Sequence, residues 1–212
     1  YESLFPKHAE ALHETCDISD FIWSYGYMLM ATGDVKWADK MESAVYNAAL
    51  GAINKDFKAL QYFSSPNQLL ATEKSSMAPY GEEGLSRQAY RPGFDVECCS
   101  GNVHRMFPNY ISRMWMNGDE HEIVAALYGP SEYRTEINGT KVCITEDTSY
   151  PFSGKITFRF ALDGAPVRIP FTMRIPSWVE NAKLTVNAEQ PKEYHAGGFS
   201  TIERRFKDGD VV

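Results

Sequence analysis

The chain has 212 residues, a formal net charge of -7, and 43% hydrophobic and 23% charged side chains. This composition is typical of a globular protein with a core of its own. The acidic balance argues against a nucleic-acid or anionic-membrane surface, which needs clustered Lys and Arg. The sequence also has no run of about 18 apolar residues that could span a membrane. A neutral or cationic substrate is therefore expected.

Aromatic residues are abundant, with twelve Tyr, twelve Phe and four Trp. Aromatic rings stack on sugars, but they also fill protein cores, and composition alone favours the core. The N-terminus has neither an initiator Met nor the features of a signal peptide, and the last residues resemble the start of a strand. We expect both ends to be cut from a longer protein.

Helical periodicity dominates residues 14 to 117. Apolar residues recur about every 3.6 positions from residue 18 to residue 29, which predicts a helix that ends at Gly33. Asp34 is expected to cap a second helix that ends at Gly51. The buried face of the second helix is predicted to carry Trp37, Met41, Val45 and Ala48.

A less regular stretch separates these helices from a third. Residues 57 to 72 favour strand, and residues 73 to 97 form a long polar stretch, whose length in a compact domain is usually functional or mobile. A third helix is predicted directly after Cys98-Cys99, with Ser100 as its cap. Pro108 lies within its apolar pattern and predicts a kink or a later helix start.

From about residue 120 the hydrophobic period changes to two, which indicates strands with one solvent-facing side. Pro170 should confine its strand to an edge or a bulge. Short strands at regular spacing predict a β-sandwich or jelly roll. The predicted strands lie near 121–128, 139–146, 155–162, 167–175, 183–187 and 199–206, with turns at Asn138-Gly139 and Asp163-Gly164.

Four cysteines are scattered along the chain: Cys16, Cys98, Cys99 and Cys143. Adjacent cysteines rarely bond to each other because the ring is strained, and so few in a chain this long do not form a disulfide framework. Free thiols or metal ligands are the better interpretation. Cys143 alternates with apolar residues in a predicted strand and is assigned no function.

Glu14 and Cys16 are two residues apart, so an extended segment just before the first helix would put both on one side. Cys98 and Cys99 also directly precede a helix. Three thiolates and a carboxylate are the four ligands that tetrahedral Zn²⁺ prefers. Their negative charge would need cationic or hydrogen-bonding neighbours, for which His13, His104 and Arg105 are candidates. The alternative is that these cysteines are inert core residues, and the sequence has no CxxC pair to decide.

Several segments resemble glycoside hydrolase family 127, and they do so in the family's order. The most specific are Glu14-Thr15-Cys16 and Glu97-Cys98-Cys99-Ser100-Gly101-Asn102. Others are Thr32-Gly33-Asp34, Ala38-Asp39-Lys40-Met41-Glu42, Tyr46-Asn47, Ser149-Tyr150-Pro151-Phe152 and Arg174-Ile175-Pro176-Ser177-Trp178. The likeness runs through nearly the whole chain.

The resemblance implies an α+β multidomain fold. Residues 1–118 would be the last helices of a catalytic (α/α)6 barrel, and residues 119–212 part of an antiparallel, jelly-roll-like β-sandwich. It also implies a bacterial protein of the periplasm or cytoplasm that acts on a plant-type oligosaccharide or glycan. The oligomeric state stays open, a homodimer included.

The family's chemistry implies Zn²⁺ held by Glu14, Cys16, Cys98 and Cys99. Cys98 would be the nucleophile of a retaining β-L-arabinofuranosidase, and Glu2 the acid and base, with Glu10 as the alternative. Tyr62 and His104, with Glu14, are the expected substrate-binding residues. A core position is the alternative for Tyr62, and a solvated charge for Glu2. The competing hypothesis is a non-catalytic carbohydrate-binding module with a structural zinc site.

Overall fold

A computed structural model describes residues 12–65, 68, 70–72 and 87–212. The chain forms two compact units. The first comprises residues 1–30 and 40–110, and the second comprises residues 31–39 and 111–212. None of the helices in the described ranges combines the length and hydropathy that a bilayer crossing requires.

Helices form most of the first unit. The elements from His13 to Ile111 are β1 (His13–Glu14), α1 (Thr15–Thr32), α2 (Val35–Ser43), a π-helical segment (Ala44–Ala49), α3 (Leu50–Ala52), β2 (Phe63–Ser64), α4 (Cys98–Asn102), a 3₁₀ turn (Val103–Arg105) and α5 (Met106–Ile111). The first part of α2, up to Asp39, and the last residues of α1 and α5 belong to the second unit. The first two helices were predicted. Gly33 ends α1 with φ +62, and Asp34 caps α2 by accepting the Lys36 N–H at 3.0 Å. The core of the unit includes Ile22, Leu29, Met41, Val45, Ala49 and Met106.

The predicted buried face of the second helix is confirmed at Met41 and Val45, whereas Trp37 is only half-buried and Ala48 is wrong. Ala48 is exposed and Ala49 is buried instead. The π-helical segment explains this difference, because its wider turn adds a residue and moves the buried positions to Met41, Val45 and Ala49, four apart. The helix also runs one residue past Gly51, to Ala52.

The third predicted helix is broken into α4, a 3₁₀ turn and α5. Ser100 does not cap it, because the helix starts at Cys98 and puts Ser100 in its interior. Pro108 is the third residue of α5, in the first turn, where a missing N–H costs no helical bond. The later helix start at Met106 is therefore the outcome that Pro108 predicted.

Strands form most of the second unit. They are β3 (Trp115–Asn117), β4 (Ile123–Ala125), β5 (Ser131–Ile137), β6 (Thr140–Thr148), β7 (Ile156–Asp163), β8 (Val167–Ile175), β9 (Ala182–Leu184), β10 (Lys192–Tyr194) and β11 (Gly198–Phe206). One sheet has the order β11-β8-β4-β3 and another the order β5-β6-β7, while β9 and β10 form a separate pair. Rings from both larger sheets meet, since Phe158 and Phe160 of β7 contact Phe171 of β8 at centroid distances of 5.0 and 5.2 Å.

The β5–β6 hairpin turns at Asn138-Gly139, with φ 51 and 79, as the sequence predicted. The position of β8 was not predicted. Pro170 suggested an edge strand, but β8 is paired on both sides, with β11 antiparallel and β4 parallel. The parallel pairing with β4 begins at Phe171. Pro170, which has no N–H to donate, therefore lies just outside this pairing.

Strand β8 also lacks the predicted solvent-facing side, because Thr172 and Arg174 are buried with the apolar residues. Arg174 is fully buried, and its Nη1 lies 2.6 Å from Oδ1 of Asp39. Asp39 also accepts a hydrogen bond from the Ser177 hydroxyl. Burial of the guanidinium is tolerated because a carboxylate accompanies it.

Removing this carboxylate should destabilise the protein strongly. We expect Asp39→Ala to lower the free energy of unfolding by about 3 to 5 kcal/mol, because it leaves a buried, unpaired charge. Urea unfolding measures the change. Glu203→Gln is the control, since its ion pair with Arg168 is equally short, at 2.7 Å, but exposed, and it should change stability little. Equal losses in the two variants would contradict this prediction.

Glu146 makes stability depend on pH. It is 2% exposed and accepts hydrogen bonds from the Gly129 N–H and the Ser131 hydroxyl, both at 3.0 Å. Burial raises its pKa from 4.5 to about 7, although the two hydrogen bonds oppose that rise. The folded state therefore holds the Glu146 proton more tightly than the unfolded state. Its contribution to stability is full below pH 4.5 and is lost as the pH rises to about 7.

The Glu146→Gln variant should lose this dependence, because Gln keeps the shape and has no proton to release. The difference in unfolding free energy between variant and wild type should change by about 3 kcal/mol, in favour of the variant, as the pH rises through this range. Urea unfolding at several pH values gives the difference. A constant difference would show that Glu146 ionises normally in the fold.

Candidate metal centre

Four side chains of the first unit bring potential metal-binding atoms together. A carboxylate oxygen of Glu14 and the sulfur atoms of Cys16, Cys98 and Cys99 all lie within 4.8 Å of one another. The two pairs are about eighty residues apart in the sequence. This convergence is what a shared metal site requires.

The backbone around Tyr62 holds the first pair in place. Strand β1 pairs with β2 so that Glu14 lies opposite Phe63, and the Thr15 N–H donates to the Tyr62 carbonyl at 3.0 Å. Glu14 is extended, as predicted, whereas Cys16 lies in the first turn of α1 rather than before it. The change from strand to helix still brings the two side chains into contact.

The second pair begins α4 and reaches the same carbonyl. The Cys99 thiol lies 3.7 Å from the Tyr62 carbonyl oxygen and donates to it. At the other end of α4, the Asn102 carbonyl accepts a hydrogen bond from the Ser19 hydroxyl of α1 at 3.2 Å. Tyr62 and α1 thus fix the position of both cysteines relative to Glu14.

The buried thiols of this cluster resist ionisation. The Cys16 thiol donates to Oε2 of Glu14 at 2.9 Å, and burial, followed by this hydrogen bond, raises the pKa of Cys16 far above its ordinary value. Burial also raises the pKa of Cys99 to about 12. Without a cation, three thiolates and a carboxylate would repel one another in a poorly solvated space.

The donor set fits a tetrahedral metal ion. Sulfur atoms that bind one zinc ion at 2.3 Å lie roughly 3.8 Å apart, and the Cys98 and Cys99 sulfur atoms are 4.0 Å apart. The distance between Cys16 and Glu14 is shorter because a shared proton joins them, and a metal would replace that proton. Glu14, Cys16, Cys98 and Cys99 could therefore hold a metal ion together.

Exposure separates Cys98 from the other three donors. Glu14, Cys16 and Cys99 are buried, whereas Cys98 is exposed. Residue Tyr62 is only 4% exposed. Its hydroxyl lies 2.9 Å from the Cys98 sulfur. Burial, followed by that hydrogen bond, raises the pKa of Tyr62, so the phenol keeps its proton and can donate it to the sulfur. The cluster thus has one accessible sulfur with a hydrogen-bond donor beside it.

Sequence reasoning missed Arg87, which stacks on Tyr62. Its guanidinium carbon lies 4.7 Å from the centroid of the Tyr62 ring, and its Nη2 lies 3.0 Å from Oδ2 of Asp95. Arg87 belongs to the long polar stretch, where no periodicity distinguishes one charged residue from another. Only the folded structure identifies its neighbour.

The other predicted site residues lie elsewhere or outside the described residues. His104 lines a separate cavity of about 290 Å³ with Phe57, Ser100 and Phe107. Arg105 pairs with Asp20 at 2.5 Å. His13 is exposed in β1. The acid/base candidates, Glu2 and Glu10, fall outside the described residues, and Cys143 lies in β6 of the second unit.

Metal binding should protect three of the four thiols. With a divalent metal bound, we expect a thiol reagent to modify only Cys143 quickly. After chelation, Cys98 should react first because it is exposed, and Cys16 and Cys99 more slowly because they are buried. Timed thiol titration with metal analysis gives both quantities. Cys143→Ser is the control and should keep its metal. A reactive thiol count that chelation leaves unchanged would rule out binding at this cluster.

Comparison with known proteins gives a family likeness for both units. Residues 1–112 match the family model described as beta-L-arabinofuranosidase, GH127 catalytic domain. Residues 122–212 match the model described as beta-L-arabinofuranosidase, GH127 middle domain. No curated protein matches the chain.

Solved structures resemble the chain over almost its whole length. A GH127 beta-L-arabinofuranosidase from Geobacillus stearothermophilus T6 is 24% identical with a TM-score of 0.76, and 96% of this chain aligns with 31% of it. A glycoside hydrolase is 26% identical with a TM-score of 0.77, at 96% and 32% coverage. A GH127 beta-arabinofuranosidase is 22% identical with a TM-score of 0.73, at 95% and 31% coverage. The chain thus spans about a third of the length of these structures.

Proposed function

This chain belongs to glycoside hydrolase family 127, and from that membership we propose that it supplies the nucleophile and metal ligands of a retaining glycosidase. The proposed substrates are β-L-arabinofuranosides or related sugars at the ends of plant-type glycans. The supporting observation is the exposure of Cys98 in an otherwise buried group of metal-binding atoms.

Glu14, Cys16, Cys98 and Cys99 would hold Zn²⁺, which keeps a bound thiol ionised at neutral pH. The other three donors are shielded from a substrate by their burial. Cys98 alone combines membership of the cluster with access from outside. This difference supports Cys98 as the nucleophile, in the role that a carboxylate takes in most retaining glycosidases.

The reaction would have two steps. In the first, the Cys98 sulfur attacks the anomeric carbon, the bond to the leaving oxygen breaks, and a carboxylic acid protonates that oxygen. In the second, the same carboxylate takes a proton from water, the water oxygen attacks the anomeric carbon, and the carbon–sulfur bond breaks to return the thiolate. Two inversions give net retention of configuration.

We propose Glu2 as the acid and base, with Glu10 as the alternative, by family resemblance alone. Tyr62 would orient the Cys98 sulfur through the hydrogen bond from its hydroxyl. The family resemblance also implies that Glu14 contacts the sugar, but its burial favours the metal-binding role alone. The proposal for His104 as a substrate ligand is weaker, because this residue lines a different cavity.

A non-catalytic module with a structural zinc site is the competing proposal. Structural zinc sites use four closed protein ligands, whereas catalytic sites keep a position open to the substrate. The four donors proposed here match the structural arrangement by number, so the catalytic proposal is favoured only by the exposure of one ligand sulfur, that of Cys98. The two proposals differ in one measurable respect, which is whether a mechanism-based inhibitor labels Cys98.

The chain would form part of a longer catalytic protein. We propose that the first unit contributes helices to an (α/α)6 barrel. Support comes from apolar side chains of α1 that are at least 40% exposed and would pack on neighbouring helices. These are Phe21, Trp23, Tyr27, Met28 and Met30. The aromatic contacts between two sheets of the second unit support the proposed β-sandwich. Residues 1–212 alone are expected to hydrolyse little.

Replacing the proposed nucleophile should abolish hydrolysis. In the full-length enzyme, Cys98→Ser is expected to lower kcat on an aryl β-L-arabinofuranoside by a factor on the order of 10³ or more, since a hydroxyl is a far weaker nucleophile than a thiolate. Steady-state kinetics measures the loss. Nuclear magnetic resonance of the first-formed product should show retained configuration in the wild type.

Cys143→Ser is the matched control, because it makes the same chemical change in the second unit, and its kcat should equal that of the wild type. Hydrolysis by Cys98→Ser at a rate near that of the wild type would exclude Cys98 as the nucleophile. An inverted product would exclude the covalent mechanism itself.

A further inference from the structure

The metal-thiolate cluster requires positive charge or hydrogen-bond donors close to it. A divalent cation with three thiolates and one carboxylate has a formal charge of about -2, and buried charge is costly unless neighbouring groups compensate it. The cationic candidates that the sequence offered do not meet this need. Arg105 stacks on Trp23, with its guanidinium carbon 5.3 Å from the ring centroid, His104 lines another cavity and His13 is exposed.

Arg87 lies one aromatic ring away from the cluster. Its side chain is only 10% exposed, and its guanidinium carbon is 4.7 Å from the centroid of the ring whose hydroxyl contacts the Cys98 sulfur. A cation over the face of a phenol ring is attracted to it, more strongly when water is excluded.

The backbone of Arg87 holds the same tyrosine. Its carbonyl accepts the N–H of Tyr62 at 2.8 Å and the N–H of Phe63 at 2.9 Å. Its side chain also reaches Asp95, three residues before Cys98, at 3.0 Å. Arg87 therefore connects the segment that carries the phenol with the segment that carries the sulfur.

We propose that Arg87 is a positioning residue, which holds the Tyr62 hydroxyl against the Cys98 sulfur. This inference rests on the proposed function, because it assumes that Cys98 reacts as a metal-bound thiolate. Arg87 does not touch the substrate in this role. It acts through the Tyr62 ring, so its effect on catalysis must depend on Tyr62.

A double-mutant cycle in the full-length enzyme tests this dependence. The variants are Arg87→Met, Tyr62→Phe and both together. Arg87→Met is expected to lower kcat by about 10- to 100-fold, as is typical when a group that orients a metal ligand is lost. KM should change by less than about threefold, because no substrate contact is removed. In the Tyr62→Phe background, Arg87→Met should have almost no further effect, since the hydroxyl that it positions is gone.

Arg91→Met is the matched control. Arg91 lies four residues further along the same segment, and its guanidinium stacks on Phe94 at 5.6 Å rather than on Tyr62. Its kcat should stay near that of the wild type. Should Arg87→Met fail to fold, Arg87→Lys replaces it in the cycle, because Lys keeps the charge but cannot stack a planar group.

A spectroscopic readout is independent of turnover. In the cobalt-substituted protein, the thiolate-to-cobalt absorption band should shift in Arg87→Met and in Tyr62→Phe, and should not shift in Arg91→Met. The inference would be overturned if Arg87→Met lowered kcat equally in the wild-type and Tyr62→Phe backgrounds. An unchanged kcat in Arg87→Met would also overturn it. A wild type that neither binds cobalt nor hydrolyses an arabinofuranoside would overturn the proposed function, and this inference with it.

Discussion

The backbone carbonyl of Tyr62 is the point on which the candidate site depends. It accepts the Thr15 N–H at the start of α1 and the Cys99 thiol at the start of α4. One peptide group thus sets the separation between the Glu14 and Cys16 pair and the Cys98 and Cys99 pair. The side chain of the same residue then reaches the Cys98 sulfur. A shift of this segment would move both halves of the cluster, so the segment must be rigid for a metal to be held.

The residue types of the candidate site could be predicted from the sequence, but most of their spatial arrangement could not. Glu14, Cys16, Cys98 and Cys99 were identifiable because cysteines are few and their residue types suit one metal. Family resemblance added Tyr62. Arg87 could not be found, because its role comes from a backbone pairing across 25 residues that no local pattern records. The cavity that His104 lines could not be predicted for a related reason, since proximity in sequence on a broken helix does not set the direction of a side chain.

In the fold, too, features that depend on neighbouring residues were predictable from the sequence, and features that depend on residues far along the chain were not. Local signals predicted the end of α1 at Gly33, the cap at Asp34 and the hairpin at Asn138-Gly139, because each depends on the backbone of one or two residues. The central position of β8 was not predictable from Pro170, because strand order depends on partners far along the chain. Strand β5 was missed because its exposed positions carry charged residues, which do not favour strand by propensity.

Burial of polar groups has opposite consequences in the two units. In the second unit, Arg174 and Asp39 meet at 2.6 Å, so each charge is offset by the other, and the Ser177 hydroxyl also donates to Asp39. In the first unit, the buried groups of the cluster are all acids, and none can offset another. Burial therefore keeps Cys16 and Cys99 protonated until a cation arrives. A metal ion bound at this cluster would offset the buried acids, as is expected of a site arranged for chemistry rather than for packing.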